Sequence, residues 1–159
     1  MLKKNTVNRI SDAKTAWKEI ESYADWFDNS ITKAYGDTYD GATFYLFTNS
    51  DNEVVGLGIA GYKDDDDIYN DKDTQYLEDV PFIWELGTCV NMPEKKEKGA
   101  ALFIIDAILD DYEGMGFWLK TLDSKAESFW RHVAEKYKLE CIEVGETAWG
   151  TPILDLVEE

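Results

Sequence analysis

The stretch from Trp84 to Asp110 constrains the fold of this chain more than any other part of it. An apolar strand, Ile83 to Asn91, leads through a charged turn with one proline into a helix that has almost no polar face. A strand, a glycine-containing turn and a helix start leave backbone N–H groups without intrahelical partners, and these groups point at the turn. The pattern therefore predicts an anion site, most often a phosphate site, at the turn.

The residues of the turn match neither common phosphate-binding loop, because both GxGxxG and GxxxxGK[ST] are absent. Lys96, Gly99 and Ala101 instead fit [Q/R]-x-x-G-x-[G/A], with lysine in the first position. The segment Val90 to Pro93 precedes them at the end of the predicted strand. Together these residues resemble the acyl-CoA-binding segment of the GNAT superfamily of N-acetyltransferases.

The resemblance implies that the backbone of this turn holds the pyrophosphate of acetyl-CoA, while the end of the strand pairs with the pantetheine arm. The cofactor-binding residues that it implies are Thr88, Cys89, Val90, Lys95, Lys96, Glu97, Lys98, Gly99, Ala100 and Ala101. The lysines favour this interpretation, since a positive patch in a negative chain is where an anionic cofactor would bind. The alternative is a solvated turn between a buried strand and a core helix, in which Glu94 and Glu97 pair with the lysines.

The order of elements extends the resemblance over nearly the whole chain. We predict a first strand (Thr6 to Ile10), followed by a helix that is capped by Ser11-Asp12 and runs to Asp28. A hairpin (Ala42 to Thr48 and Val54 to Tyr62) then precedes the strand and helix described above. The order ends with a strand (Gly116 to Leu122), a helix capped by Asp123-Ser124 (Lys125 to Tyr137) and two strands (Leu139 to Val144 and Pro152 to Val157). Ile31 to Tyr39 is either a short helix or an irregular connection.

This is the GNAT order, and Asp123 to Trp130 is similar to the N-x-x-A-x-x-x-Y helix start of that family, with Ala126 matching. We therefore expect a single GNAT-like domain over residues 1–159. Its class is α/β, more closely α+β, with a mostly antiparallel sheet of about six to seven strands flanked by helices.

The chain is strongly acidic, with 33 acidic and 16 basic residues and a net charge of −17. Such a field repels nucleic acid and anionic membranes and attracts amines or basic protein surfaces. Solubility or salt adaptation would explain the same charge. The segment Asp64 to Asp79 is the most acidic part, and we interpret it as a solvated loop, an amine-attracting rim or a loose cation site.

No apolar stretch approaches the length of a membrane span, so we expect a cytoplasmic protein. Cys89 and Cys141 fall in predicted strands without the spacing of metal ligands, and we expect both to be reduced thiols. No set of residues suggests a metal site.

The chemistry implied by the resemblance is a direct attack of an amine on the thioester, which needs no enzyme nucleophile. Glu85 is the candidate base, because a carboxylate within an apolar strand is costly without a task or a partner; a solvent-facing position is its alternative. The family usually places a proton-donating tyrosine where this chain has Trp130. Tyr137, seven residues on, is the candidate donor, and core packing is its alternative. His132 is predicted to be exposed.

Three functions are compatible with these patterns. The first is an N-acetyltransferase that acts on a primary amine of a cationic small molecule or a basic protein. The second is a catalytically inactive acidic binding protein on the same fold, which engages a basic partner or mimics DNA. The third is an α/β domain that does not use CoA. A homodimer and a basic protein partner both remain open.

Overall fold

The computed structural model describes residues 2–27, 41–62, 75–147 and 150–158. Within these ranges the strands are β1 (Val7–Ile10), β2 (Thr43–Thr48), β3 (Val54–Gly61), β4 (Phe82–Thr88), β5 (Phe117–Lys120), β6 (Leu139–Glu146) and β7 (Pro152–Glu158), and the α-helices are α1 (Ala13–Ile20), α2 (Ala100–Asp111) and α3 (Ser124–Tyr137). Short 3₁₀ segments cover Glu21–Trp26, Gln75–Asp79 and Pro93–Lys95. The predicted segment Ile31 to Tyr39 and most of the acidic segment lie outside the described residues.

The seven strands follow the order β1-β2-β3-β4-β5-β7-β6. The β4–β5 pair is parallel, whereas β1–β2, β2–β3, β5–β7 and β6–β7 are antiparallel. The predicted mixed, mostly antiparallel sheet is thus confirmed. The chain divides into two compact units, residues 1–61 with 85–111 and residues 62–84 with 112–159, so β4 contributes to both.

In the first unit, α2 packs closely on β3 because two strand residues have no side chain. A Cβ atom built at Gly58 would lie 2.5 Å from Cγ2 of Ile104, and one at Gly56 would lie 3.0 Å from its Cδ1. Ile104 and Ile108 are completely buried. The helix has one exposed apolar residue, Phe103, whose ring stacks on Phe47 at a centroid distance of 5.3 Å.

Two predicted elements of this unit end several residues earlier in the structure. Helix α1 ends at Ile20 and gives way to a 3₁₀ segment, instead of continuing to Asp28. Strand β4 ends at Thr88, instead of reaching Asn91, because the N–H of Val90 turns back to the carbonyl of Thr88 at 2.8 Å. Asn91 then bonds to the carbonyls at the end of the 3₁₀ segment instead of continuing the strand.

The second unit packs α3 on one face of its strands and an aromatic cluster on the other. Trp130 of α3 is buried and meets Phe117 at a centroid distance of 5.7 Å. The cluster on the other face consists of the buried residues Leu77, Phe82, Trp118 and Ile153. In the described ranges, no helix has both the length and the apolar composition that crossing a membrane would require.

Candidate functional site

The turn between β4 and α2 has the backbone geometry of an anion site. Gly99 adopts a left-handed conformation with φ +84°, which side-chain-bearing residues adopt only at a cost. The N–H of Ala100 donates to the carbonyl of Glu97 at 3.2 Å. Among the described residues, the backbone N–H groups of Lys98, Gly99 and Ala101 have no hydrogen-bond partner. Three free donors at the positive end of a helix can bind phosphate oxygens.

The lysines of this turn have different roles. The ammonium of Lys95 lies 2.9 Å from Oε1 of Glu53 and 5.8 Å from the ring centroid of Trp26. Over the described ranges, the side chains of Lys96 and Lys98 are exposed and form no ion pair. Lys96 and Lys98 therefore carry the charge that is available to an anion, while Lys95 anchors the turn. The pairs with Glu94 and Glu97, which the alternative interpretation required, are not among the ion pairs of the described residues.

The anchor for Lys95 is built by the turn between β2 and β3. The buried side chain of Asn49 donates to Oε1 of Glu53 at 3.0 Å and accepts the N–H of Glu53 at 2.9 Å. The hydrogen bond from Asn49, followed by that from Lys95, lowers the pKa of Glu53. The bond to Glu53 in turn raises the pKa of Lys95, so both groups stay charged at neutral pH.

A second anchor lies immediately before the turn. The side-chain amide of Asn91 donates to the carbonyl of Phe27 at 2.7 Å, and its backbone N–H donates to the carbonyl of Trp26 at 2.9 Å. These bonds tie the end of β4 to the 3₁₀ segment after α1. Sequence analysis missed Asn49, Glu53 and Asn91 as supports of the turn, because the contacts of Glu53 with Lys95 and of Asn91 with Phe27 join residues far apart along the chain.

The end of β4 offers fewer free groups than predicted. The carbonyl of Thr88 accepts from Val90, and the carbonyl of Cys89 accepts from Met92 at 3.1 Å. Cys89 is fully buried, and this burial raises the pKa of its thiol. Both cysteines are free thiols. Val90 is 46% exposed, so its side chain is open to solvent beside the turn.

The candidate catalytic residues lie in different units. Glu85 is half-buried in β4 and belongs to the first unit, with all the predicted cofactor-binding residues. Tyr137 is half-buried at the end of α3 in the second unit. Trp130 is a packed core residue, and His132 is exposed, as predicted. Across the described part of the chain, no group of three or more His, Cys, Asp or Glu side chains is arranged to hold a metal ion.

The second unit contains a buried carboxylate that sequence analysis did not single out. Asp155 in β7 is 2% exposed and accepts the hydroxyl of Tyr76 at 2.6 Å. Burial raises the pKa of Asp155, and the hydrogen bond from Tyr76 opposes this shift only in part. A charged residue between Leu154 and Leu156 in an apolar strand was the signal available in the sequence.

We expect Asp155→Asn to stabilise the protein at neutral pH. The raised pKa means that the folded state disfavours the carboxylate, so stability falls as pH rises above the ordinary value of about 3.9. Asparagine cannot ionise and can still accept from Tyr76. The nearby titratable groups are Tyr76 and Cys141, and neither is charged at neutral pH.

Urea denaturation of the two proteins across the acid range measures this effect. The stability difference should shrink as pH falls from neutral towards the ordinary aspartate pKa, and it should stay constant below that value. Asp79→Asn removes the same charge from an exposed position in the same unit and corrects for the lower net repulsion. If Asp155→Asn and Asp79→Asn changed the free energy of unfolding by the same amount relative to the wild type at every pH, the prediction would be contradicted.

Comparison with known proteins identifies the fold. No protein-family model matches the chain, and no curated protein matches it in sequence. Among solved structures, it is similar to a histone acetyltransferase HPA2-related acetyltransferase from Corynebacterium glutamicum, with a TM-score of 0.52 at 11% identity, over 97% of this chain and 95% of that one. It is also similar to Arabidopsis thaliana NAA60 in complex with acetyl-CoA, with a TM-score of 0.50 at 11% identity, over 96% of this chain and 98% of that one. The chain therefore has the GNAT fold.

Proposed function

We propose that this protein is an N-acetyltransferase that transfers an acetyl group from acetyl-CoA to a primary amine of a cationic small molecule or basic protein. The observation that carries the proposal is the turn at Gly99. Among the described residues, three backbone N–H groups of this turn have no partner, and the side chains of Lys96 and Lys98 form no ion pair. The fold supports it, because one structural neighbour was solved with acetyl-CoA bound. In this proposal residues 1–159 act as one acyltransferase domain, and the cytoplasmic location stays a prediction.

In this function the residues Lys95 to Ala101 would hold the pyrophosphate, and Thr88 to Val90 would lie along the pantetheine arm. Acetyl-CoA supplies the activated acyl group. The attacking amine must first lose a proton, since a free amine with a pKa of about 10.4 is mostly protonated at neutral pH. Glu85 is assigned as the base, directly or through water, and Tyr137 as the donor to the departing thiolate.

Calorimetric titration with acetyl-CoA and with CoA tests the proposal, followed by a screen of amines for release of free CoA thiol. We expect saturable binding of both cofactor forms and thiol release with at least one amine. Absence of any binding at millimolar cofactor would refute the acetyltransferase.

The second candidate is an inactive binding protein of the same fold that engages a basic partner. The buried indole of Trp130 favours it, because this position holds a packed core ring where GNAT enzymes usually have the hydroxyl of a tyrosine. Binding of acetyl-CoA without thiol release for any amine would support this candidate. A salt-sensitive complex with a basic protein would then identify its partner.

Removing the two unpaired lysines should weaken cofactor binding. We expect Lys96→Ala combined with Lys98→Ala to lower the affinity for acetyl-CoA roughly tenfold, since each exposed ion pair contributes up to ~1 kcal/mol. The salt dependence of binding should also become smaller. Calorimetry at several salt concentrations measures both effects.

The control is Lys14→Ala combined with Lys18→Ala, which changes the net charge equally at exposed positions of α1. An equal loss of affinity in both double variants would show that only the overall charge matters and would argue against a phosphate contact at the turn.

A further inference from the structure

Asp155 is a buried carboxylate for which the described part of the chain provides no counterion. Among the described residues, its one hydrogen-bond donor is the hydroxyl of Tyr76, which reaches Oδ2, and no Lys or Arg pairs with it. A carboxylate has about four acceptor sites, so most of its capacity is unused. Burying a charge in this state is costly, and an apolar residue would be less costly in a strand of the core.

The surroundings of Asp155 are aromatic. Trp118 lies directly opposite Asp155 on the neighbouring strand β5, so the two side chains share one face of the sheet. On this face the rings of Trp118 and Phe82 have centroids 4.3 Å apart, and those of Phe82 and Trp84 are 5.2 Å apart. We refer to Tyr76, Phe82, Trp84, Trp118 and Asp155 together as the Asp155 cluster.

The cluster contains one buried polar group without a partner among the described residues, and it borders solvent on one side. Trp118 is completely buried, yet no group in the described ranges accepts a hydrogen bond from its indole Nε1–H. Tyr76 is 45% exposed and Trp84 is half-buried, so the cluster borders solvent at these two rings. Buried polar groups in proteins normally have partners, so this indole N–H and the spare acceptor capacity of the Asp155 carboxylate are the reasons to expect a bound group at the cluster.

We propose that the Asp155 cluster binds the primary ammonium group of the acceptor amine, with the carboxylate accepting its N–H bonds and the aromatic rings packing against its apolar stem. Aromatic faces attract cations, and a carboxylate among them selects a cation over a neutral or anionic group of the same shape. The net charge of −17 adds a general attraction for cations. The inference rests on the proposed function for the role of the amine, and it names the residues that would hold it.

Indole N–H resonances in a nitrogen-15 correlation spectrum of the whole chain provide the test, with n-butylamine as the probe and n-butanol as its neutral control. The Trp118 resonance is assigned by its absence in Trp118→Phe. We expect n-butylamine to shift this resonance saturably at neutral pH, whereas n-butanol should not. Asp155→Asn should weaken amine binding at least tenfold, and Tyr76→Phe severalfold.

The matched control is Asp79→Asn, which removes one charge at an exposed position of the same unit and should bind the amine as the wild type does. An equal loss in Asp79→Asn and Asp155→Asn would overturn the proposal, because the overall charge would then explain binding. An unshifted Trp118 resonance in the wild type would also overturn it, leaving water as the partner of both groups.

Calorimetry with acetyl-CoA on the same proteins separates this inference from the proposed function. Acetyl-CoA binding that is unchanged in Asp155→Asn, together with loss of the amine shift, supports an acceptor site. Acetyl-CoA binding without any amine shift would refute the inference alone. An amine shift without acetyl-CoA binding would refute the proposed function and leave an amine-binding site that serves another purpose.

Discussion

Gly99→Trp is expected to abolish acetyl-CoA binding, with an affinity at least a hundredfold lower than that of the wild type. Gly99 has φ +84°, and the nearest atom to a Cβ built there is Cε2 of Phe103, at 3.8 Å. The first side-chain atom at this position therefore does not clash with the protein itself. It would occupy the space in front of the free N–H groups, where the pyrophosphate is proposed to bind. Calorimetric titration of the purified variant measures the loss.

Backbone strain must be separated from loss of the site, because a side chain in the left-handed region costs about 1–2 kcal/mol by itself. Gly114→Trp is the matched control, since Gly114 has φ +81° and no atom within 4 Å of a built Cβ. Both variants should lose similar stability in thermal unfolding, and only Gly99→Trp should lose binding. A folded Gly99→Trp protein that binds acetyl-CoA within threefold of the wild type would contradict the proposed site.

Gly58→Val should destabilise the protein by about 3 kcal/mol or more, so that part of the variant protein fails to fold. A Cβ at Gly58 meets Cγ2 of Ile104 at 2.5 Å and Cδ1 of Ile108 at 3.7 Å, and both isoleucines are completely buried. Inserting even one methyl group into a packed core typically costs 1–3 kcal/mol, and valine adds two more. The damage would displace α2, whose first residues form the proposed phosphate site. Urea denaturation measures the free energy of unfolding.

A double-mutant cycle shows whether the cost arises at Ile104. Gly58→Ala and Ile104→Ala should each destabilise the protein, and the double variant should be more stable than the sum of the two losses predicts, because truncation of Ile104 makes room for the methyl group. Gly145→Ala in β6 is the control, since its Cβ would lie at an ordinary contact distance of 3.5 Å from Cδ1 of Ile153. Additive losses in the cycle would argue against the close packing of α2 on β3.

Much of the fold was predictable because its signals are local. The helix caps are examples: the carboxylate of Asp12 accepts the N–H of Thr15 at 3.2 Å, and that of Asp123 accepts the N–H of Ala126 at 2.7 Å. Each cap joins residues three positions apart, so the sequence contains the whole interaction. The hairpin of β2 and β3 and the apolar helix α2 were predicted for the same reason, since periodicity and turn residues lie within a short window.

The sequence by itself determined the order of elements, the position of the turn before α2 and the presence of a glycine in it. The tertiary structure decided which groups in the turn are free, because Lys95 is held by Glu53, 42 residues away, whereas Lys96 pairs with no residue that the structure describes. It also decided that β3 needs a glycine beneath Ile104 and that Asp155 lies buried beside Tyr76, 79 residues away. Such contacts join residues that are distant along the chain, and no local pattern of residues specifies which distant side chain the fold will bring into contact.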